Sequence, residues 1–138
     1  METKSHFFPI EIAGLQRKLK LFQVKPGLRI AILNILGDVE LVQASARALA
    51  DKLKDLLFDV ILTAESKSIP LAHALAMEAQ KPYVVLRKEY KPYMGEVIQS
   101  ETLSITTGKV QTLLLDEKDK PLISGARVLI VDDVNDTG

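Results

Sequence analysis

The chain contains no cysteine, which excludes a disulfide scaffold, a thiol nucleophile and a cysteine-held zinc ion. No apolar run is long enough to cross a bilayer, and the opening METKSHFFPIEIAG lacks the apolar core of a signal peptide. A cytoplasmic location without a membrane partner is the expectation. An excess of one charge is missing too: Lys plus Arg and Asp plus Glu both number 18. A nucleic-acid partner has no global support, and any anion site must be local. Several catalytic signatures are also absent. Gly108-Lys109 is followed by Val110, with Leu103 where a P-loop has its first glycine, and there is no G-x-G-x-x-G, G-x-S-x-G or H-E-x-x-H. The two histidines, His6 and His73, stand alone, and His73 reads as a helix-surface or core residue.

What the chain has is an ordinary globular composition: 138 residues, 47% apolar and 26% charged, enough for one domain with a sizeable core. No repeat or linker divides it. Two partly alternating runs flank Ala13-Gly14 and predict a hairpin. LRIAILNI (28–35) suits a buried strand or core segment. Asp38 is placed to cap a helix over 39–58, where Leu41, Ala44, Ala48, Leu49, Leu53, Leu56 and Leu57 make one apolar face. DVILTA (59–64) predicts a strand buried on both faces. A helix over 71–79 follows with Pro70 in its first turn, then a strand at 82–86, so this β–α–β unit implies a parallel sheet. RKEYKPYMGE (87–96) has no apolar period and reads as a loop, 97–105 and 109–115 as a hairpin, DEKDKP (116–121) as a polar turn and 126–133 as the last strand.

In an open α/β sheet, ligands bind beyond the carboxyl ends of the strands. Strand 59–64 ends in Glu65-Ser66-Lys67-Ser68, and strand 126–131 ends in Asp132-Asp133-Val134-Asn135-Asp136-Thr137-Gly138. If the two strands are neighbours, both loops face one crevice. Asp132 and Asp133 can accept hydrogen bonds from vicinal hydroxyls or hold magnesium, directly or through water. The turn from Asn135 to Gly138 can leave backbone N–H groups free to surround a phosphate, with Thr137 adding a hydroxyl. Hydroxyl acceptors before a phosphate cradle describe a ribose 5-phosphate site. Lys67, Arg87 and Lys88 sit at successive strand ends, where each is either an anion contact or an ordinary solvated charge.

VLIVDDVNDTG (128–138) resembles the phosphoribosyl pyrophosphate (PRPP) motif of type I phosphoribosyltransferases. TAESKSIPLAHALA resembles that family's pyrophosphate loop and following helix, and VVLRKEYKPYMGEVIQ resembles the strand end and mobile loop of its adenine and xanthine members. The resemblance runs from about Asp38 to Gly138. It implies an α/β fold, a parallel sheet flanked by helices, with a lid hairpin and a small N-terminal hood. It implies one domain, residues 1–37 forming the hood segment and 38–138 the core, with a further helix and strand beyond Gly138. It also implies a magnesium-dependent transfer from PRPP to a purine base, adenine foremost, by a cytoplasmic homodimer. Carried over residue by residue, Asp132 and Asp133 would hold the ribose hydroxyls, and Asn135, Asp136, Thr137 and Gly138 the 5-phosphate. Ser66, Lys67, Arg87 and Lys88 would meet the pyrophosphate. Val134 would lie at the base, Asp136 would serve in proton transfer, and residues 90–107 would form the lid, whose Tyr90 and Tyr93 either stack on the base or pack on closure. Two features depart from the adenine enzymes: Thr106 stands where they carry a lid glutamate, and Asp136, where they usually carry alanine, resembles the hypoxanthine and guanine enzymes. A non-catalytic protein that senses PRPP on the same domain is the alternative.

Overall fold

The computed structural model describes residues 6–103 and 108–133. Its N-terminal part is an antiparallel sheet in the order β1 (Phe7–Ile12), β2 (Leu15–Lys25), β3 (Leu28–Ile32). Ala13 and Gly14 join β1 to β2 with positive φ angles of 50° and 81°, the two-residue turn whose twist suits a hairpin. The segment 28–35 departs from the expected buried strand. β3 stops at Ile32, Leu28 and Ile30 are each 42% exposed, and burial begins only at Ile35. β3 is an edge strand of a small antiparallel sheet with a solvent face, so its apolar run is not a core run.

Arg17 of β2 fastens this sheet to the rest of the molecule. Its Nε donates to Asp38 Oδ2 at 2.7 Å and its Nη2 to Glu40 Oε1 at 2.9 Å. Asp38 also caps α1 (Val39–Lys52), its Oδ1 accepting from the Leu41 N–H at 3.1 Å. The Arg17 guanidinium, with that N–H, holds the Asp38 carboxyl below the usual carboxylate range. The apolar period predicts helix through Phe58, but α1 ends at Lys52 and Leu57 is 73% exposed. The chain turns through Lys54 and Leu56 because Asp59 and Val60 must donate to the Arg127 carbonyl, which fixes where the next strand begins.

That strand, β4 (Val60–Ala64), is the centre of a parallel sheet in the order β5 (Tyr83–Leu86), β4, β8 (Val128–Ile130). Both faces of β4 are buried, as its continuous apolar run predicts. α2 (Ile69–Ala79) follows it, with Pro70 in the first turn. Leu41, Val42 and Ala46 of α1 and Leu71, Ala72 and Leu75 of α2 pack with Ile61 on one face. On the other face Val60 and Val84 pack with Leu115, Ile123 and Ala126.

The hairpin of β6 (Ile98–Leu103) and β7 (Val110–Leu115) joins the end of β5 through two backbone bonds between Arg87 and Leu114, of 2.9 and 2.7 Å. The loop expected at 87–96 contains a 3-10 turn, Pro92–Met94, and buries Met94 completely. The expected polar turn after β7 is likewise more ordered than its composition indicates. A 3-10 turn and the short α3 (Lys120–Ile123) bury Asp116 and Asp119, which accept from the Lys118 N–H at 3.0 Å and from Lys118 Nζ at 2.8 Å. No helix among the described residues is long and apolar enough to cross a membrane.

Candidate functional site

Because β4 lies between β5 and β8, the loops that leave these three strands open on the same side of the sheet. A crevice of about 420 Å³ lies there, lined by Glu65, Ser66, Lys67 and Ser68 after β4, Lys88 after β5, Asp132 and Asp133 after β8, and Gln111 and Leu113 of β7. The conditional expectation from sequence, that the loops converge if their strands are neighbours, is met for the described residues. Val134, Asn135, Asp136, Thr137 and Gly138 lie outside them, as does Thr106.

The β4 loop turns sharply. The Glu65–Ser66 peptide bond is cis, and a buried hydroxyl pair, Thr63 Oγ1 to Ser68 Oγ at 2.7 Å, closes the loop from strand end to helix start. Ser66 and Lys67 are thereby left exposed at the rim. Opposite them, Asp132 is exposed and Asp133 half-buried, and Asp132 Oδ1 accepts from the Asp133 N–H at 2.8 Å. The crevice thus carries carboxylates on one wall and lysines on the other, an arrangement that suits a ligand with hydroxyls at one end and anionic oxygens at the other.

Arg87 and Lys88 diverge, as consecutive residues leaving a strand do. Lys88 lines the crevice. Arg87 turns to a second cavity with Tyr83, Asp116, Lys118 and Asp119, and its Nε donates to Glu65 Oε1 at 2.6 Å. The same oxygen accepts from the Lys88 N–H at 3.1 Å. Arg87, and after it the Lys88 N–H, hold the Glu65 carboxyl below the usual glutamate range, while Glu65 and then Tyr93 raise the Arg87 guanidinium. Glu65 is the site residue that sequence reasoning missed. Its signal is opposite charges at the ends of two successive strands, which becomes a contact only once those strands pair. Tyr90 donates to the Gly95 carbonyl at 3.0 Å and so packs on its own loop. His73 is exposed on α2, edge-on to Tyr83.

Among the described residues no three metal-ligating side chains cluster. Two adjacent carboxylates facing a crevice with room for phosphate oxygens nonetheless fit magnesium, which takes one or two carboxylates and completes its shell with substrate oxygens and water.

The profile of the phosphoribosyl transferase domain matches residues 33–138. This chain belongs to that family. The match starts at Leu33, within the segment that links β3 to α1. The purine biosynthesis transcriptional repressor PurR of Bacillus subtilis is 28% identical over 116 residues, 84% of this chain and 40% of that protein. The hypoxanthine/guanine phosphoribosyltransferase of Methanococcus voltae is 40% identical over 84 residues, 61% of this chain and 41% of that protein. The chain therefore spans about 40% of the length of these curated relatives. Among solved structures, the adenine phosphoribosyltransferase of Thermoanaerobacter pseudethanolicus aligns with a TM-score of 0.65 at 23% identity, covering 83% of this chain and 66% of that one, a likeness of fold.

Proposed function

We propose that this phosphoribosyl transferase domain binds PRPP in the crevice beyond β4, β5 and β8 and transfers its phosphoribosyl group to a purine, adenine being the leading base. The observation that carries the reading is the meeting of Asp132 and Asp133 with Ser66, Lys67 and Lys88 around one opening. In this reading Asp132 and Asp133 accept the ribose 2- and 3-hydroxyls, and Ser66, Lys67 and Lys88 meet the pyrophosphate, while Arg87 is paired with Glu65 and offsets that carboxylate's charge. Asn135, Asp136, Thr137 and Gly138 would enclose the 5-phosphate, Val134 would border the base, and Asp136 would accept or return the base's proton. A ring nitrogen of the purine forms the new bond to C1 as the bond from C1 to the pyrophosphate oxygen breaks. Positive charge grows on the ribose and negative charge on the leaving group, so placed charges and a closed lid lower the barrier. Magnesium, held by Asp132 and Asp133 directly or through water, would offset the charge of the departing pyrophosphate.

A second reading has its own support. The match to a transcriptional repressor over most of the chain favours a domain that binds PRPP as a signal and does not turn it over. Two readouts on the same protein separate the two. Purified protein is titrated with magnesium PRPP by calorimetry, then incubated with PRPP, magnesium and adenine, hypoxanthine, guanine or xanthine in turn, and both nucleotide and pyrophosphate are measured. A nucleoside monophosphate from one base establishes transfer. PRPP binding without product from any base establishes the sensor and removes the transferase reading. A cytoplasmic homodimer belongs to the same proposal, and light scattering on the purified protein tests the dimer.

A further inference from the structure

The geometry points to Glu65 as a positioning residue that acts through Lys88 on the pyrophosphate end of the crevice. This inference rests on the proposed PRPP site and adds to it a residue that binds no substrate atom itself. One carboxylate oxygen, Glu65 Oε1, accepts both the Arg87 Nε at 2.6 Å and the Lys88 N–H at 3.1 Å. Glu65 belongs to the β4 loop, whereas Arg87 and Lys88 follow β5, so this oxygen pins together the two loops that face each other at that end. The hairpin is drawn into the same clamp, because the Arg87 N–H and carbonyl bond to Leu114, one residue from Leu113, which lines the crevice. The backbone bond from the Glu65 N–H to the Leu86 carbonyl, 3.0 Å, holds the strand ends together independently, so the carboxylate acts on the Arg87 side chain and the Lys88 N–H.

The clamp sorts the two cations. Glu65 engages Arg87 on its side of the strand end, and the Lys88 backbone is held by the same oxygen, leaving the Lys88 side chain to line the crevice. Without the clamp, Lys88 keeps its charge and loses its place. Glu65, itself a crevice-lining anion, would repel a polyphosphate if it were unpaired; two hydrogen bonds from a cation and an N–H remove that penalty. A glutamate that only stabilised the fold would affect unfolding and leave anion affinity unchanged. A glutamate that positions Lys88 must share its effect with Lys88.

The test is a double-mutant cycle read by calorimetry with magnesium pyrophosphate as the probe, on wild type, Glu65→Ala, Lys88→Ala and the double variant. Glu65→Ala is expected to weaken pyrophosphate about tenfold, the scale of one charge-assisted hydrogen bond. The double variant is expected to bind no more weakly than Lys88→Ala alone, because the two changes remove the same contact. If transfer is found, KM for PRPP rises in Glu65→Ala while KM for the base stays within about twofold of wild type. Wild-type affinity in Glu65→Ala, or losses that simply multiply in the double variant, would overturn the assignment. Should Glu65→Ala fail to fold, Glu65→Asp keeps the charge one methylene short of its partners and carries the same expectation through its own cycle with Lys88→Ala. Failure of the wild-type protein to bind pyrophosphate overturns the anion site itself, and with it this inference, whereas failure of Glu65→Ala to differ overturns the inference alone.

Discussion

Gly95 offers a sharp test of how the loop after β5 is built. It follows the 3-10 turn that buries Met94, and it has φ +70° and ψ −140°, a region that residues with a Cβ avoid. A Cβ placed there would also collide with the Glu117 carboxylate. Gly95→Ala therefore meets two obstacles of different size. The backbone strain is intrinsic and costs about 1–3 kcal/mol. The collision is mainly with the far end of an exposed, flexible side chain, and moving it aside costs on the order of 0.5 kcal/mol, while the tight contact with the Glu117 Cβ needs a shift of only a few tenths of an ångström. Strain should dominate, so Gly95→Ala is expected to lower unfolding stability by about 1–3 kcal/mol in urea titrations. In a Glu117→Ala background the same change should still cost at least two thirds as much. Stability within about 0.5 kcal/mol of wild type refutes the backbone argument, and full rescue by Glu117→Ala shows that the collision, not the strain, was decisive.

Leu75 of α2 is fully buried in the core shared with α1 and β4, and Leu75→Ala should cost about 3–4 kcal/mol by urea denaturation, with a cavity left in that core. Glu65 has a folded-state pKa below its unfolded value, so its contribution is present above the ordinary glutamate pKa of about 4.3 and is lost as pH falls through the lower folded value. Glu65→Gln should therefore be less stable than wild type at neutral pH, and the gap should close in acid; a gap that is independent of pH contradicts the pairing. Asp38 both caps α1 and receives Arg17. Asp38→Asn keeps an acceptor for the cap and should lower Tm less than Asp38→Ala, while added salt should narrow the difference between wild type and Asp38→Asn.

Much of the core was legible because it follows from local rules. The continuous apolar run of β4, the cap at Asp38, the proline opening α2 and the turn at Ala13-Gly14 each state their geometry in a few residues. The convergence of Ser66, Lys67, Lys88, Asp132 and Asp133 was legible too, once β4 was placed between β5 and β8. What was not legible depends on partners distant in the chain. The exposure of β3 is shared by the central strand β2, whose Phe22 and Val24 are also exposed, so it reflects what covers the sheet and not the apolar run. α1 ends at Lys52, although the apolar period continues, because the bonds from Asp59 and Val60 to Arg127 fix the start of β4. The direction of Arg87 is set by Glu65, across the gap between two strands, so adjacent residues with like charge take up separate tasks.

The measurement that bears most directly on the site is titration of magnesium PRPP into the wild-type protein and into Asp132→Asn and Asp133→Asn variants that match it in folded stability. One-site binding by the wild type is expected, with a loss of at least about tenfold in each variant, since each removes a charged acceptor for a ribose hydroxyl or for the ion. No binding by the wild type, or variants that bind as tightly as it does, would contradict a PRPP site at the ends of β4, β5 and β8.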